Sequence, residues 1–379
     1  MTNHLGAATD LLARSPLIDG HNDLPWQLRE AGPDAVRTDI AAPVSFTHTD
    51  LPRLAQGKVG AQFWSVFVPA TLAGEAAVAT TLEQIDFVRS MVRRYPDALE
   101  LARTAADVER IWASGKVASL LGAEGGHSIA SSLGVLRMFY ELGVRYMTLT
   151  HNRTTGWADS ATDQPDVGGL SDFGREVVTE MQRIGMLVDL SHVSPATMAD
   201  ALDTARAPVI FSHSSALALC DHPRNVPDEI LARLPANNGV CMVTFVPAFV
   251  SQECRDWHSG VQEEMERRGM DREDYPGYKA VRDELAAASP PPRATLAQVA
   301  DHIEHVREAA GVDHIGIGSD FDGTVDLPDG LGDVSCYPAL FAELLDRGWS
   351  EDDCARVAGG NVLRVMRDAE VFSRAAKAQ

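Results

Sequence analysis

The sequence predicts a (β/α)8 barrel, the fold in which eight parallel strands alternate with helices. Eight short apolar runs rich in β-branched residues recur along the chain, and the segments between them carry helix signals. The runs are apolar throughout, which is typical of parallel strands covered on both faces. A doubly wound open sheet is the alternative, although no GxGxxG motif follows the first run. The runs are Leu17–Asp19, Ala61–Val68, Val117–Leu121, Tyr146–Thr150, Leu187–Leu190, Val209–Phe211, Val240–Val246 and His314–Ile317.

Helix boundaries are visible in the segments between these runs. Ser194 followed by Pro195 is typical of an N-cap with proline at the first helical position. Gly143 follows a periodic apolar stretch and predicts a helix end. Thr295 and Gln298 have the spacing of a capping box. These signals support alternation of strand and helix.

The chain is predicted to form a single domain over residues 1–379, with one charged insertion at about 251–293. The insertion lies between the seventh and eighth strands, is rich in Glu, Arg and Asp, and ends in three prolines. We expect a surface excursion that is partly helical. Loops at that end of a barrel often form lids, and a solvated insertion without function is the alternative.

Composition excludes several classes of partner. The chain has 45% apolar and 23% charged residues, a net charge of −21 and a pI near 4.9. Nucleic acids and anionic membranes attract basic surfaces, so neither is an expected partner. No run of 18 apolar residues and no signal peptide are visible, and a cytoplasmic location is expected. The cysteines are too scattered for a disulfide framework or a thiolate zinc site: Cys220, Cys241, Cys254, Cys336 and Cys354.

Ionisable residues follow the predicted strands, where each strand ends. In a barrel the carboxyl ends of the strands converge on one mouth, where active sites lie. Four histidines and three carboxylates directed there predict a functional site, although each residue alone would more often be structural. They are His21, Asp23, Glu124, His151, His192, His213 and Asp320.

The arrangement predicts two divalent metal ions. His21 and Asp23 would bind one ion, and His192 and His213 the other, with Glu124 between them. Imidazole nitrogen and carboxylate oxygen suit zinc, although such a set also accepts cobalt or manganese. Two ions roughly 3.5–4 Å apart can hold a bridging water and lower its pKa towards about 7. The hydroxide that results would attack a carbonyl.

The remaining chemistry requires a proton shuttle and an oxyanion contact. Asp320 is not required as a ligand and fits the role of general base and acid. His151 is then free to hydrogen-bond the developing oxyanion. A second HxD pattern, His48 and Asp50, is expected to be unrelated to the site, and His302 is predicted to be a surface residue.

These motifs resemble the membrane (renal) dipeptidase family, a branch of the amidohydrolase superfamily that hydrolyses dipeptides with two zinc ions. The resemblance spans nearly the whole chain in order. It is carried by Asp19-Gly20-His21-Asn22-Asp23, Glu124-Gly125-Gly126-His127, Leu149-Thr150-His151-Asn152, Val188-Asp189-Leu190-Ser191-His192-Val193-Ser194, Ile210-Phe211-Ser212-His213-Ser214-Ser215, Arg224-Asn225-Val226-Pro227-Asp228 and Gly318-Ser319-Asp320-Phe321-Asp322-Gly323.

The resemblance implies the same ligand set and the same roles for Asp320 and His151. It adds Arg224 as the residue that binds the terminal carboxylate of the dipeptide, a task that suits a guanidinium. It also implies a homodimer and acceptance of a D-residue at the carboxyl-terminal position. Arg153 stands where secreted relatives have a cysteine, whereas Cys220 and Cys254 lie near another disulfide of theirs.

We therefore expect a zinc-dependent dipeptidase that hydrolyses L-Xaa-L-Xaa and L-Xaa-D-Xaa dipeptides. The main alternative is a barrel amidohydrolase that acts on another amide, a lactam or an ester. A less favoured alternative is an inactive metal-binding relative, which the presence of both the ligands and the shuttle argues against.

Overall fold

The computed structural model describes residues 4–32, 37–271 and 274–378. Within these ranges nine strands form one parallel sheet, in the order β2-β1-β9-β8-β7-β6-β5-β4-β3. The strands are β1 (Leu17–Asn22), β2 (Val59–Phe67), β3 (Leu99–Leu101), β4 (Val117–Glu124), β5 (Val144–Thr148), β6 (Leu187–Asp189), β7 (Val209–Phe211), β8 (Val240–Val243) and β9 (Ile315–Ile317).

Direct pairing of β2 with β4 closes the sheet into a barrel. Seven consecutive pairs join the two strands in parallel, from Ala61 with Ala118 to Phe67 with Glu124. The eight barrel strands overlap the eight predicted runs, so the (β/α)8 prediction is confirmed. The prediction missed β3, which pairs with the first residues of β4 outside the barrel.

Helices surround the barrel, and the predicted helix signals have the expected geometry. Ser194 accepts a hydrogen bond from the Thr197 N–H, and Thr295 and Gln298 form a capping box. The helices are α1 (Leu5–Arg14), α2 (Leu24–Glu30), α3 (Leu51–Gln56), α4 (Gly74–Arg94), α5 (Ala105–Ala113), α6 (Leu133–Leu142), α7 (Asp172–Ile184), α8 (Pro195–Thr204), α9 (Asp228–Leu231), α10 (Leu234–Asn237), α11 (Pro247–Val250), α12 (Gln252–Arg267), α13 (Tyr275–Ala288), α14 (Leu296–Ala310), α15 (Tyr337–Asp346), α16 (Glu351–Ala355) and α17 (Asn361–Lys377).

The barrel interior is filled by large side chains, so it is a core rather than a channel. Phe63, Tyr146 and Met242 are fully buried in a cluster that also contains residues of α17. Gly122 gives Tyr146 its space, because a Cβ at this position would lie 2.0 Å from the phenol ring. A side chain at Gly122 would therefore displace the ring from the centre of the barrel.

The predicted insertion forms a helical hairpin of α12 and α13. Residues 272 and 273 within it lie outside the described residues. Val261, Met265 and Val281 form a small apolar cluster of their own between the two helices. The sequence therefore underestimated the regular structure of this segment.

Candidate metal centre

The ionisable residues predicted from the strand ends lie together at the mouth of the barrel. His21 is the fifth residue of β1, Asp23 directly follows that strand, and Glu124 is the last residue of β4. The other members lie within three residues of a strand end, and all but Asp320 are buried. They are His151 after β5, His192 after β6, His213 after β7 and Asp320 after β9.

Glu124 lies at the centre of this cluster. Its Oε2 is 3.4 Å from His21 Nε2, and its Oε1 is 3.0 Å from His192 Nε2 and 3.6 Å from His213 Nε2. Ser65 donates a hydrogen bond of 3.0 Å to Oε2. The two carboxylate oxygens of one residue therefore face different groups of histidines.

The potential ligand atoms form three overlapping groups, and within each group the atoms lie within 4.8 Å of one another. One group combines His21, Asp23 and Asp320, so the predicted proton shuttle lies beside two predicted ligands. The others place Glu124 with different histidines: His21 and His213 in one group, His151 and His192 in the other.

The donor atoms fit a divalent metal. His21 Nε2 is buried without a hydrogen-bond partner, 3.2 Å from Asp23 Oδ2. The Nε2 atoms of His192 and His213 face each other at 3.0 Å. Converging imidazole nitrogens and carboxylate oxygens are the ligands that zinc and similar ions prefer.

Burial sets the protonation of the histidines. It is the main cause that lowers the pKa of His151, His192 and His213 well below the ordinary value, and the Arg224 cation adds to it. These rings are therefore neutral at pH 7, the form that binds metal. For His21, burial favours a lower pKa, but Tyr146 and nearby carboxylates raise it well above the ordinary value.

The carboxyl group of Asp320 has a raised pKa, unlike the rings of His151, His192 and His213. Burial raises the pKa of its carboxyl group well above the ordinary value, against the cations His21 and Arg224, and the neighbouring Asp23 and Glu124 carboxylates raise it further. A carboxyl group that binds a proton readily suits an exchange of protons near neutral pH. Asp320 also has a positive φ of 66°, which the chain around it must hold.

Arg224 is a buried cation beside the cluster. Only 3% of the residue is exposed, and the guanidinium lies 5.2 Å from the centre of the Phe249 ring. Burial lowers the pKa of Arg224 to about 10, so it remains charged at pH 7. Its Nη1 has no hydrogen-bond partner among the described residues, and a buried donor of this kind can bind an anion.

Two contacts around the cluster were not predicted. The Tyr146 hydroxyl lies 2.8 Å from His21 Nδ1 and donates to the carbonyl of Gly20. His48 and Asp322 hold each other through two hydrogen bonds, of 2.6 Å from the His48 N–H and 3.0 Å from the Asp322 N–H. The sequence gives no signal for these pairs, because each joins segments more than 100 residues apart.

The surface position predicted for His302 is wrong. The residue is 1% exposed, its Nδ1 accepts from the Ala216 N–H at 3.0 Å, and its Nε2 lies 3.2 Å from the Val250 carbonyl. It therefore ties α14 to the loop that follows His213. The resemblance left open whether Cys220 and Cys254 form a disulfide. Both residues have free thiols in the structure.

The helical hairpin connects to two loops at the mouth. Arg153, two residues after His151, contacts Asp271 near the hairpin tip at 2.9 Å. Arg282 of α13 donates from Nε and Nη2 to the carboxylate of Asp326, six residues after Asp320. The insertion therefore touches segments that continue from predicted catalytic residues.

Comparison with known proteins gives matches over the whole chain. The model of the family described as membrane dipeptidase (peptidase family M19) matches residues 5–379. The chain is 43% identical over 384 residues to dipeptidase verJ of Clonostachys rogersoniana, an alignment that covers 98% of this chain and 89% of that protein.

Solved structures share the fold. The probable dipeptidase PvdM from Pseudomonas aeruginosa has a TM-score of 0.84 at 24% identity, over 97% of this chain and 98% of that one. An amidohydrolase from the same organism has a TM-score of 0.74 at 26% identity, over 96% and 98%. Dipeptidase AC, a metallo peptidase, has a TM-score of 0.76 at 25% identity, over 94% of this chain and 98% of that one.

The family match corrects one prediction. The cytoplasmic location predicted from the sequence is wrong, because the matching family is described as that of the membrane dipeptidases. Within the described residues, no helix has both the length and the apolar character that crossing a membrane requires.

The comparisons also confirm the predicted enzyme class. The family and these relatives are named dipeptidases and metallopeptidases, which are hydrolases of peptide bonds. A whole-chain family match and a relative at 43% identity support the same assignment. The chain belongs to the membrane dipeptidase family of metallopeptidases.

Proposed function

We propose that the chain is a zinc-dependent dipeptidase with two ions per chain. His21 and Asp23 would hold one ion, His192 and His213 the other, and Glu124 would contribute one oxygen to each. The observation that carries the proposal is the orientation of Glu124, with Oε2 towards His21 and Oε1 towards His192 and His213. When bound, the ions would polarise the scissile carbonyl and make a water molecule more acidic.

Asp320 would move the proton that hydrolysis requires. The attacking water must lose a proton, and the departing amine must gain one. The Asp320 carboxylate lies within 4.8 Å of ligand atoms of His21 and Asp23, and its raised pKa favours acceptance of that proton. The same group can then donate the proton to the leaving nitrogen.

His151 and Arg224 would position the substrate. The neutral His151 ring can donate an N–H to the oxyanion that develops on the attacked carbonyl. The buried Arg224 guanidinium would bind the free carboxylate of the dipeptide. A substrate carboxylate bound by Arg224 would restrict cleavage to short L-Xaa-L-Xaa or L-Xaa-D-Xaa substrates.

The first experiment combines elemental analysis with hydrolysis of a small panel of L-Xaa-L-Xaa and L-Xaa-D-Xaa dipeptides. Close to two zinc ions per chain with turnover would support the proposal. Two ions without turnover would direct the search to lactams, esters and other amides. Protein purified without chelators that contains no metal would contradict the proposal.

Asp320→Asn separates an enzyme from an inactive metal-binding relative. The substitution keeps the shape of the side chain but removes the proton acceptor, so kcat should fall by about 10²–10⁴-fold. The metal content should remain that of the wild type, because Asp320 is outside the proposed ligand set. An unchanged kcat would exclude Asp320 as the proton shuttle.

A further inference from the structure

Two fully buried aspartates hold the mouth of the barrel in the same way. Asp189 accepts from the N–H and the hydroxyl of Ser212, at 2.8 and 2.6 Å. Asp19 accepts from the N–H and the hydroxyl of Ser319, at the same two distances. In each case the serine directly precedes a residue of the cluster, His213 or Asp320.

Each carboxylate is completed by two further donors. Asp189 also accepts from the Ser191 N–H at 3.1 Å and the Thr148 hydroxyl at 2.6 Å. Asp19 accepts from the His21 N–H at 3.3 Å and the Tyr337 hydroxyl at 2.6 Å. Four donors to one buried carboxylate satisfy its oxygens and fix its orientation.

We call each aspartate with its serine a clamp, so that Asp189 and Ser212 form one and Asp19 and Ser319 the other. The two clamps differ in the contacts of the serine hydroxyl oxygen. The Ser212 hydroxyl also lies 2.8 Å from Nδ1 of His213. Since its proton is directed to Asp189, its oxygen must accept the bond from His213, which requires a proton on Nδ1. The ring nitrogen that remains unprotonated in the neutral imidazole is then Nε2, the atom 3.6 Å from Glu124.

We infer that Asp189 is a positioning residue that selects the metal-binding tautomer of His213 through Ser212. This inference rests on the proposed role of His213 as a ligand. Partners of this kind orient ligand histidines, and their loss typically weakens metal binding by about 10–100-fold. The Asp19 clamp has no such effect, because the described contacts of its serine hydroxyl include no imidazole ring: they are with Asp19, the Tyr337 side chain and backbone groups.

The test compares Ser212→Ala with Ser319→Ala. Both substitutions remove a buried hydroxyl that donates to a buried aspartate at 2.6 Å, so their effects on packing are matched. Zinc affinity would be measured on metal-free protein by competition with a chromogenic chelator. We expect about 10–100-fold weaker binding for Ser212→Ala and less than threefold change for Ser319→Ala.

The tautomer itself is read from ¹⁵N NMR of histidine-labelled, metal-free wild-type protein. The His213 signal is assigned by its absence in His213→Asn. We expect the proton on Nδ1, and a proton on Nε2 would overturn the inference even if the Ser212 variant failed to fold.

The two proposals fail in different ways. Wild-type protein that binds no zinc would remove the proposed function, whereas the NMR result would still test the hydrogen-bond chain. Zinc binding by the wild type with equal affinity in Ser212→Ala would remove only the role of Asp189.

Discussion

At the scale of single residues, Arg224 has the clearest predicted effect on substrate binding. Arg224→Met keeps an apolar side chain over Phe249 but removes the cation that would bind the terminal carboxylate. Loss of charge-assisted hydrogen bonds of about 1.5–3 kcal/mol should raise KM for dipeptides by roughly 10–100-fold. Steady-state kinetics measures this, with Arg224→Lys as the control that retains the charge. Unchanged KM in the Met variant would contradict the proposed substrate class.

His302 gives a prediction on stability. Burial lowers its pKa to about 4, whereas an unfolded histidine titrates near about 6.5. Between these pH values the unfolded chain binds more protons than the folded chain. Protonation of His302 in the unfolded chain therefore lowers the free energy of unfolding as the pH decreases. His302→Gln can keep both hydrogen bonds without titrating. Its free energy of unfolding should therefore fall less than that of the wild type from pH 7 to pH 4, by up to about 3 kcal/mol.

Urea unfolding of both proteins across this pH range measures the difference. Titration of all other groups is common to the two proteins and cancels in the comparison. Parallel pH profiles would show that His302 is protonated as easily in the fold as in the unfolded chain.

Residues at strand ends could be predicted from the sequence, but their supports could not. The carboxyl ends of parallel strands converge, so the position of Glu124 or His213 after an apolar run predicts its place in the fold. The contact of Tyr146 with His21 depends on which side chain of a strand points into the barrel. That detail requires the barrel register, which a single sequence does not determine.

At the scale of elements, strands were easier to predict than the insertion. A barrel strand is apolar throughout, whereas α12 and α13 bury only a narrow cluster and expose charged faces. Ion pairs such as Arg268 with Glu284, at 2.9 Å, join the end of α12 to α13 on the surface. The short β3 strand was missed because three residues give no periodic signal.

The hairpin should affect catalysis through its contact with the loop after β9. Arg282→Ala removes the bond to Asp326, six residues after Asp320, and should allow that loop to move. Small displacements of a catalytic group are costly, and we expect kcat to fall roughly 10-fold with unchanged zinc content. Arg268→Ala is the matched control, because its bond to Glu284 stays within the hairpin. Equal kinetics of the two variants would favour a solvated insertion without function.

At the scale of the whole molecule, we propose that residues 1–379 form one domain. The hairpin has its own apolar cluster of Val261, Met265 and Val281, but this cluster is small beside the barrel core. Ion pairs at Arg153 and Arg282 attach it to two barrel loops. We therefore expect a single cooperative transition in calorimetry, and a separate low-temperature transition would assign the hairpin its own folding unit.

Metal should stabilise the entire barrel, because the proposed ligands come from β1, β4 and the segments after β6 and β7. A ligand that binds only the folded state adds about 4 kcal/mol when its concentration is a thousand times Kd. For a chain of this size we expect Tm to decrease by about 5 °C on chelation and to recover with zinc.

Two variants test whether this stabilisation depends on the proposed ligands. Glu124→Gln should lose most of the zinc-dependent shift in Tm, since one oxygen of the amide becomes a poorly coordinating NH2 group. Arg224→Met retains the five proposed ligands and should show the full shift. Magnesium should not replace zinc, because it prefers an octahedral shell of oxygen ligands over imidazole. A wild-type Tm that chelators do not change would mean that the cluster holds the barrel together by its hydrogen bonds alone.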